Sequence, residues 1–118
     1  MITLHALLVR HPDLTHEEFL AHWHGVHGPL IRDDPVLARH LLSYHQHPVA
    51  PGAGTLGLDG FDGVTVQTFV DWDAFRAFAT QPESWAMNDD MATFLDVARL
   101  RVSVTEDPVV VVAPEATA

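Results

Sequence analysis

The stretch LTHEEFLAHWHGVHGPL, residues 14–30, decides how the chain is read. Phe19, Trp23, Val26 and Leu30 recur at i, i+4, i+7 and i+11, the apolar stripe of one helix face. Thr15 and Glu18 have the spacing of a capping box, which dates the helix start. Pro29 disfavours helical backbone at Gly28, so a break or kink is expected there. Just before this helix, ITLHALLVR (2–10) is a short run rich in Ile, Leu and Val, stopped by His-Pro, and reads as a mostly buried strand.

Working outward, RHLLSYHQH (39–47) alternates as a second strand and VTVQTFV (64–70) is a third. Between them, residues 48–63 hold five of the seven glycines, a flexible loop long enough to suggest a role beyond connection. Asp71 caps a helix carrying Trp72, Phe75 and Phe78, and a further helical piece is expected over about 88–97, with Met87, Met91, Phe94 and Leu95 on one side. ARLRVSVTEDPVVVV (98–112) closes a single domain, residues 1–112, as a strand interrupted by Pro108, and residues 113–118 are expected to be a frayed, disordered tail. The order is β-α-β-β-α-β. It predicts an α+β, ferredoxin-like fold with two helices, the second in two pieces, on one face of a four-stranded antiparallel sheet. No element remains for the other face, so a second copy of the chain is the expected cover.

Composition narrows the chemistry. The 118 residues contain no cysteine and no lysine, which removes disulfides, thiolate nucleophiles, Cys-ligated metals and Schiff bases. Six arginines stand against sixteen carboxylates, and a formal charge of −10 argues against a nucleic-acid partner. No apolar run is long enough for a membrane span, and the first residues lack the pattern of a signal peptide, so a cytoplasmic location is expected.

Three histidines fall in HWHGVH. On a helix wheel at about 100° per residue, His27 sits about 60° from the centre of the apolar stripe and His24 about 120° away. His22 flanks the opposite edge. On this geometry the three do not converge, and no metal site is expected; His24 and His27 share one face but need ligands from elsewhere. His16, His22 and His24 read as ordinary surface residues. His27, beside Trp23 near the expected helix end, is either a pocket residue or a structural group holding the Gly-Pro turn. Arg99 and Arg101 alternate on the last strand, and Trp85, opposite Met91 and Phe94, is either exposed or lines a cleft. The pairs Asp33/Asp34 and Asp89/Asp90 read as helix-end charges. No G-x-S-x-G, P-loop or dinucleotide fingerprint occurs.

Four blocks resemble one family. RHPDLTHEEFLAHWHGVHGPLI, YHQHPVAPG, FDGVTVQTFVD and DDMATFLDVARLRVSVTEDPVVV, in that order over roughly 4–112, are similar to EthD-type proteins, with matches at Trp23, His27, Gly28, Pro29, Asp62, Gly63 and Phe94. The resemblance implies a dimeric α+β barrel in which two ferredoxin-like subunits join their sheets. It implies a pocket in each subunit and chemistry without metal or redox cofactor on cyclic, aromatic or polyketide-like compounds. Isomerases, dehydratases, decarboxylases and cyclases are the relevant types.

On that basis the expected function is cofactor-independent acid/base catalysis on a small carbonyl compound. His27 is the candidate general acid/base, with Tyr44, His47 or Arg99 as donor to a developing oxyanion. Trp23, Phe69, Trp85 and Phe94 are the candidate walls for a flat ring. The alternatives are a non-catalytic dimer binding a hydrophobic ligand or pathway partner, and a haem protein using a helix histidine.

Overall fold

The computed structural model describes residues 1–115; the last three residues of the expected tail lie outside the described residues. Four strands, β1 (Ile2–Leu8), β2 (Ser43–Pro48), β3 (Gly63–Phe69) and β4 (Arg101–Thr105), form one antiparallel sheet in the order β2-β3-β1-β4. This is the ferredoxin-like α+β arrangement. The helices α1 (His16–His22), α2 (Gly28–Arg32), α3 (Pro35–Ala38), α4 (Trp72–Thr80) and α5 (Pro82–Phe94) accompany it.

Register separates the two faces of the sheet. Leu4, Ala6 and Leu8 pair with Gln67, Thr65 and Gly63, and this set faces the helices, with Ala6, Leu8, Thr65, Gln67 and Phe69 all buried. The opposite face carries Thr3, His5 and Leu7 from β1, Val64, Val66 and Thr68 from β3, and His45 and His47 from β2, with no helix over it among the described residues. The core between sheet and helices has two parts. Ala6, Leu8, Phe19, Trp23, Phe94 and Leu95 form one, and Ile31, Leu37, Phe69, Phe78 and Met87 the other.

The capping box at Thr15 forms in full: the Glu18 amide donates to Thr15 Oγ1 at 3.1 Å and the Thr15 amide to the Glu18 carboxylate at 3.0 Å. Downstream the helix departs from expectation. Gly-Pro does not end it; Gly28 has helical φ −57° and ψ −53°, and α2 runs on to Arg32. The accommodation comes one turn earlier, where Trp23–His27 is a π turn with the Gly28 N–H donating to the Trp23 carbonyl. Pro29 has no N–H to give this turn and its ring crowds the preceding carbonyls, and a wider turn relieves that crowding without breaking the helix.

Across the same turn, the Gln46 side chain reaches from β2 and donates to the Trp23 carbonyl at 2.9 Å. Gly28 makes room for it: a Cβ there would lie 2.9 Å from Gln46 Nε2. The π turn also resets the buried face. Residues four apart drift by about 40° per step on an α-helix, and the wider turn cancels that drift. Phe19, Trp23, His27 and Ile31 therefore share the core line, while Val26, expected on it, is 47% exposed.

Other boundaries shift as well. The last helix starts at Pro82 rather than near residue 88, a short helix α3 capped by Asp34 was not expected, and the last strand ends at Thr105. Beyond it, Val109–Val112 are 65–89% exposed and outside the sheet. The Gly-rich loop contains one short 3₁₀ turn, Ala53–Leu56.

Candidate active site

A cavity of about 180 Å³ opens between the sheet and the helices. Its walls are mostly apolar: Trp23, Ile31, Phe78, Met87, Met91 and Phe94 face Leu4, Ala6 and Leu8. Five polar residues join them: His27, Tyr44, Thr65, Gln67 and Asn88.

His27 is 7% exposed. Its Nδ1 lies 2.8 Å from Asp90 Oδ2, and the Asp90 side chain is itself largely buried on α5. His22 reaches the same carboxylate, with Nε2 at 2.9 Å from Oδ1 and 3.0 Å from Oδ2. The carboxylate is acceptor-only when ionised, so both rings donate to it. That fixes the neutral His27 as the Nδ1–H tautomer and leaves Nε2 with its lone pair. Phe94 packs against both rings, 4.8 Å from the His22 centroid and 4.9 Å from that of His27.

This convergence corrects the wheel analysis. His22 and His27 are five residues apart, and on an uninterrupted α-helix they point to different sides. The π turn between them aligns the two on one carboxylate 68 and 63 residues away in sequence. Asp90 is thus a mid-helix partner of both imidazoles rather than a helix-end charge.

The electrostatics follow. Burial pushes the His27 pKa below its ordinary value, the hydrogen bond and charge of Asp90 oppose this in part, and the charge of His22 adds to the lowering. Burial alone would raise Asp90, but hydrogen bonds from His27 and His22 and their charge hold it below its usual value. Both shifts favour a neutral His27 imidazole beside an ionised Asp90 at neutral pH.

Tyr44 also lines the cavity, and its phenol oxygen accepts from Gln46 Nε2 at 2.8 Å. Burial pushes its pKa up, which keeps the O–H available as a donor. Trp23, fully buried, lies over Gly63, where a Cβ would come within 2.5 Å of the indole ring. Next to Gly63, Asp62 clamps the chain. It accepts from the Arg10 amide at 2.8 Å, the Arg10 guanidinium at 3.0 Å and His16 Nδ1 at 2.9 Å. His16 is thus tied to a carboxylate rather than free on the surface.

Four residues proposed from the sequence do not line the cavity. His47 alternates to the far face of β2 and is exposed in a separate groove with His24 and Arg32. Arg99 precedes the last strand in a 3₁₀ turn, Val97–Arg99, and points to solvent. Trp85 is 68% exposed because α5 turns Ser84, Met87 and Phe94 inward instead. Phe69 is fully buried in the core, 5.3 Å from the ring of Phe75 and 5.4 Å from that of Phe78, behind the cavity wall. His24 bonds to Gln46 at 2.7 Å and faces the outer groove.

Asp90, Thr65 and Gln67 belong to the site and were missed. Thr65 and Gln67 carried a signal: they are the polar residues on the buried alternation of a strand whose other buried members are Gly63 and Phe69. Among the described residues no group of three or more His, Asp or Glu is arranged to hold a metal ion. No helix among them is long and apolar enough to cross a membrane.

Comparison with known proteins places the fold and the family. An EthD family protein from Bacillus halodurans superposes with a TM-score of 0.71 at 20% identity, covering 92% of this chain and 99% of that one. A dimeric protein of ferredoxin-like fold from Bacteroides fragilis gives 0.67 at 15% identity, with 90% and 95% coverage. A dimeric ferredoxin-like protein from Thermobifida fusca gives 0.65 at 18% identity, covering 88% of each chain. At these identities the likeness is one of fold. No curated protein matches the chain. The EthD domain model, however, matches residues 11–98, which span the capped helix, the His27 segment, the Asp62-Gly63 strand entry and Asp90. The chain therefore belongs to the EthD family.

Proposed function

We propose that this protein is a cofactor-independent enzyme that moves a proton on a small cyclic or aromatic carbonyl compound, by isomerase, lyase or cyclase-type chemistry. The observation that carries the reading is the buried His27–Asp90 pair at the wall of an apolar cavity. Neutral Nε2 takes a proton from the carbon next to the carbonyl, the C–H electron pair forms the C=C bond of an enolate, and the carbonyl π pair moves onto the oxygen. Asp90 stabilises the imidazolium formed, and the Tyr44 O–H donates to the oxyanion. His27 then returns the proton at a second atom or delivers it to a leaving hydroxyl. An apolar enclosure strengthens each of these charge interactions.

The enzyme so proposed is a cytoplasmic homodimer. A sheet face bearing Leu7, Val64 and Val66 without a helix, and the exposed valines 109–112, support a second copy as cover. Two of the structures that share the fold are themselves described as dimeric. A haem reading does not fit, because a porphyrin macrocycle exceeds about 180 Å³.

The test is turnover of a panel of lactones, enones and aromatic polyketides by the wild type and by His27→Gln. General acid–base groups typically contribute ~100- to 10,000-fold, and the variant should lose activity on that scale while keeping its thermal melt. Saturable binding without turnover by any member of the panel would make the protein a carrier instead.

A further inference from the structure

Asp90 faces two imidazoles, and only one of them lines the cavity. His27 does so. His22 lies in a surface recess with Leu14, Glu18, Ala21, Val26 and Thr93. The His27 and His22 side chains are 9% and 26% exposed, and the Asp90 side chain that joins them is 13% exposed. His22 Nε2 straddles the carboxylate, 2.9 Å from Oδ1 and 3.0 Å from Oδ2, whereas His27 Nδ1 meets Oδ2 at 2.8 Å. Thr93 stands 3.4 Å from Oδ1, but its hydroxyl donates to the Asp90 carbonyl at 2.6 Å. His22 is thus the second donor on the carboxylate, and Phe94, stacked on its ring with centroids 4.8 Å apart, fixes the plane from which it donates.

The consequence is electrostatic. A carboxylate beside a single imidazole draws a proton onto that ring, because an opposite charge a few ångströms away favours the charged form. An imidazolium has no lone pair with which to act as a base. A second imidazole on the same carboxylate takes part of its negative charge, and a proton on either ring opposes a proton on the other. Few other charges intervene. Glu18 borders the recess on the His22 side, and the residues lining the cavity around His27 include no carboxylate or arginine. Burial is the main reason that the His27 pKa lies below its ordinary value, and the charge of His22 adds to it against the pull of Asp90.

We infer that His22 is a positioning residue of the site: it holds the Asp90 carboxylate from the solvent side and shares its charge, and so keeps His27 a neutral base. This deepens the function proposed above and rests on His27 being the base of that reaction. The coupling between the two rings can be read without any reaction.

The experiment follows nitrogen-15 histidine spectra of the full chain against pH in the wild type, His22→Phe and His22→Gln. His22→Phe keeps a ring against Phe94 and removes both the donor and the charge. His22→Gln keeps an N–H near the Nε2 position and removes only the charge. The nine histidines are told apart by the signals that these variants and His27→Gln lose. The His27 midpoint should rise by about one unit in His22→Phe, and by less in His22→Gln, whose amide still holds the carboxylate. Thermal melting confirms that the variants fold.

Three results would overturn the assignment: a His27 midpoint that stays or falls in folded His22→Phe, a rise in His22→Gln as large as in His22→Phe, or a wild-type His22 that carries its proton on Nδ1 at alkaline pH and so does not donate to Asp90. The last needs no variant and decides the matter if neither folds. With any carbonyl probe that turns over, the acid limb of kcat/KM should move up in pH with the His27 midpoint. A midpoint that moves while the limb stays would remove His27 as the base and leave the coupling standing. An unmoved midpoint removes the coupling and leaves His27 to be judged by His27→Gln.

Discussion

Replacing Asp90 by Asn probes the centre of the site with almost no change of volume. In the wild type the carboxylate accepts from His27 Nδ1 at 2.8 Å and from His22 Nε2 at 2.9 Å. An Asn side chain keeps one acceptor oxygen in place of two, so either the Oδ1 position beside His22 or the Oδ2 position beside both rings becomes an NH₂ donor. If the oxygen stays with His22, His27 must turn a lone pair toward the new amide NH₂ and carry its proton on Nε2, the wrong tautomer for a base. A hydrogen bond to a charged group is worth about 1.5–3 kcal/mol. At ~1.4 kcal/mol per factor of ten, the population of base-competent His27 falls roughly 10- to 150-fold. The titration of His27 should also move further below its ordinary value, because the two influences of Asp90 that raise it are gone while burial remains.

Nitrogen-15 spectra of histidine-labelled protein read both effects without a substrate. The wild type should show a protonated Nδ1 and a free Nε2 on His27, and Asp90→Asn a shifted or mixed tautomer. Unchanged tautomer and unchanged titration in a folded Asp90→Asn protein would refute the view that Asp90 sets the state of His27.

Four further outcomes are expected. Gly63→Ala should cost about 1–3 kcal/mol in denaturant unfolding, because its Cβ would lie 2.5 and 2.6 Å from atoms of the fully buried Trp23 ring. Stability should decline as pH drops below about 6.5, because the unfolded chain then binds a proton on His27 that the folded chain, with its lowered pKa, resists; urea midpoints from pH 8 to 5 follow this. Asp62 adds a second loss at more acid pH. Burial would raise its pKa, but the bonds from Arg10 and His16 hold it below its ordinary 3.8, so its contribution is complete above that value and disappears as pH falls through the lower folded one; Asp62→Asn should flatten that part of the curve. Light scattering at micromolar concentration should give a dimer mass, and a monomer would remove the sheet-to-sheet assembly.

Much of the fold was legible from local chemistry. The Thr15–Glu18 box, the Asp71 cap and the alternation of β3 each depend on residues a few positions apart, and each appears where its spacing indicated. His27 and Trp23 were readable as cavity residues because an apolar stripe beside a histidine is itself a local pattern. The precise face of the helix was not. It turns on a π turn that responds to Pro29 and is bridged by Gln46, a residue 23 positions away from the Trp23 carbonyl it holds. A wheel drawn at constant pitch therefore put Val26 inward and parted His22 from His27.

The sequence by itself determined the element order and the helix start, and with neither cysteine nor lysine present it excluded thiolate and Schiff-base chemistry. Only the tertiary structure decided which carboxylate His27 bonds, and which of Tyr44, His47 and Arg99 lines the same cavity. The reason is physical. Capping and periodicity are energies of one segment with itself. The meeting of His22, His27 and Asp90 depends on how α5 crosses the π turn, and the pairing of Gln67 with Tyr44 on the register of β2 against β3. Those are settled by packing between segments that no short window of sequence contains.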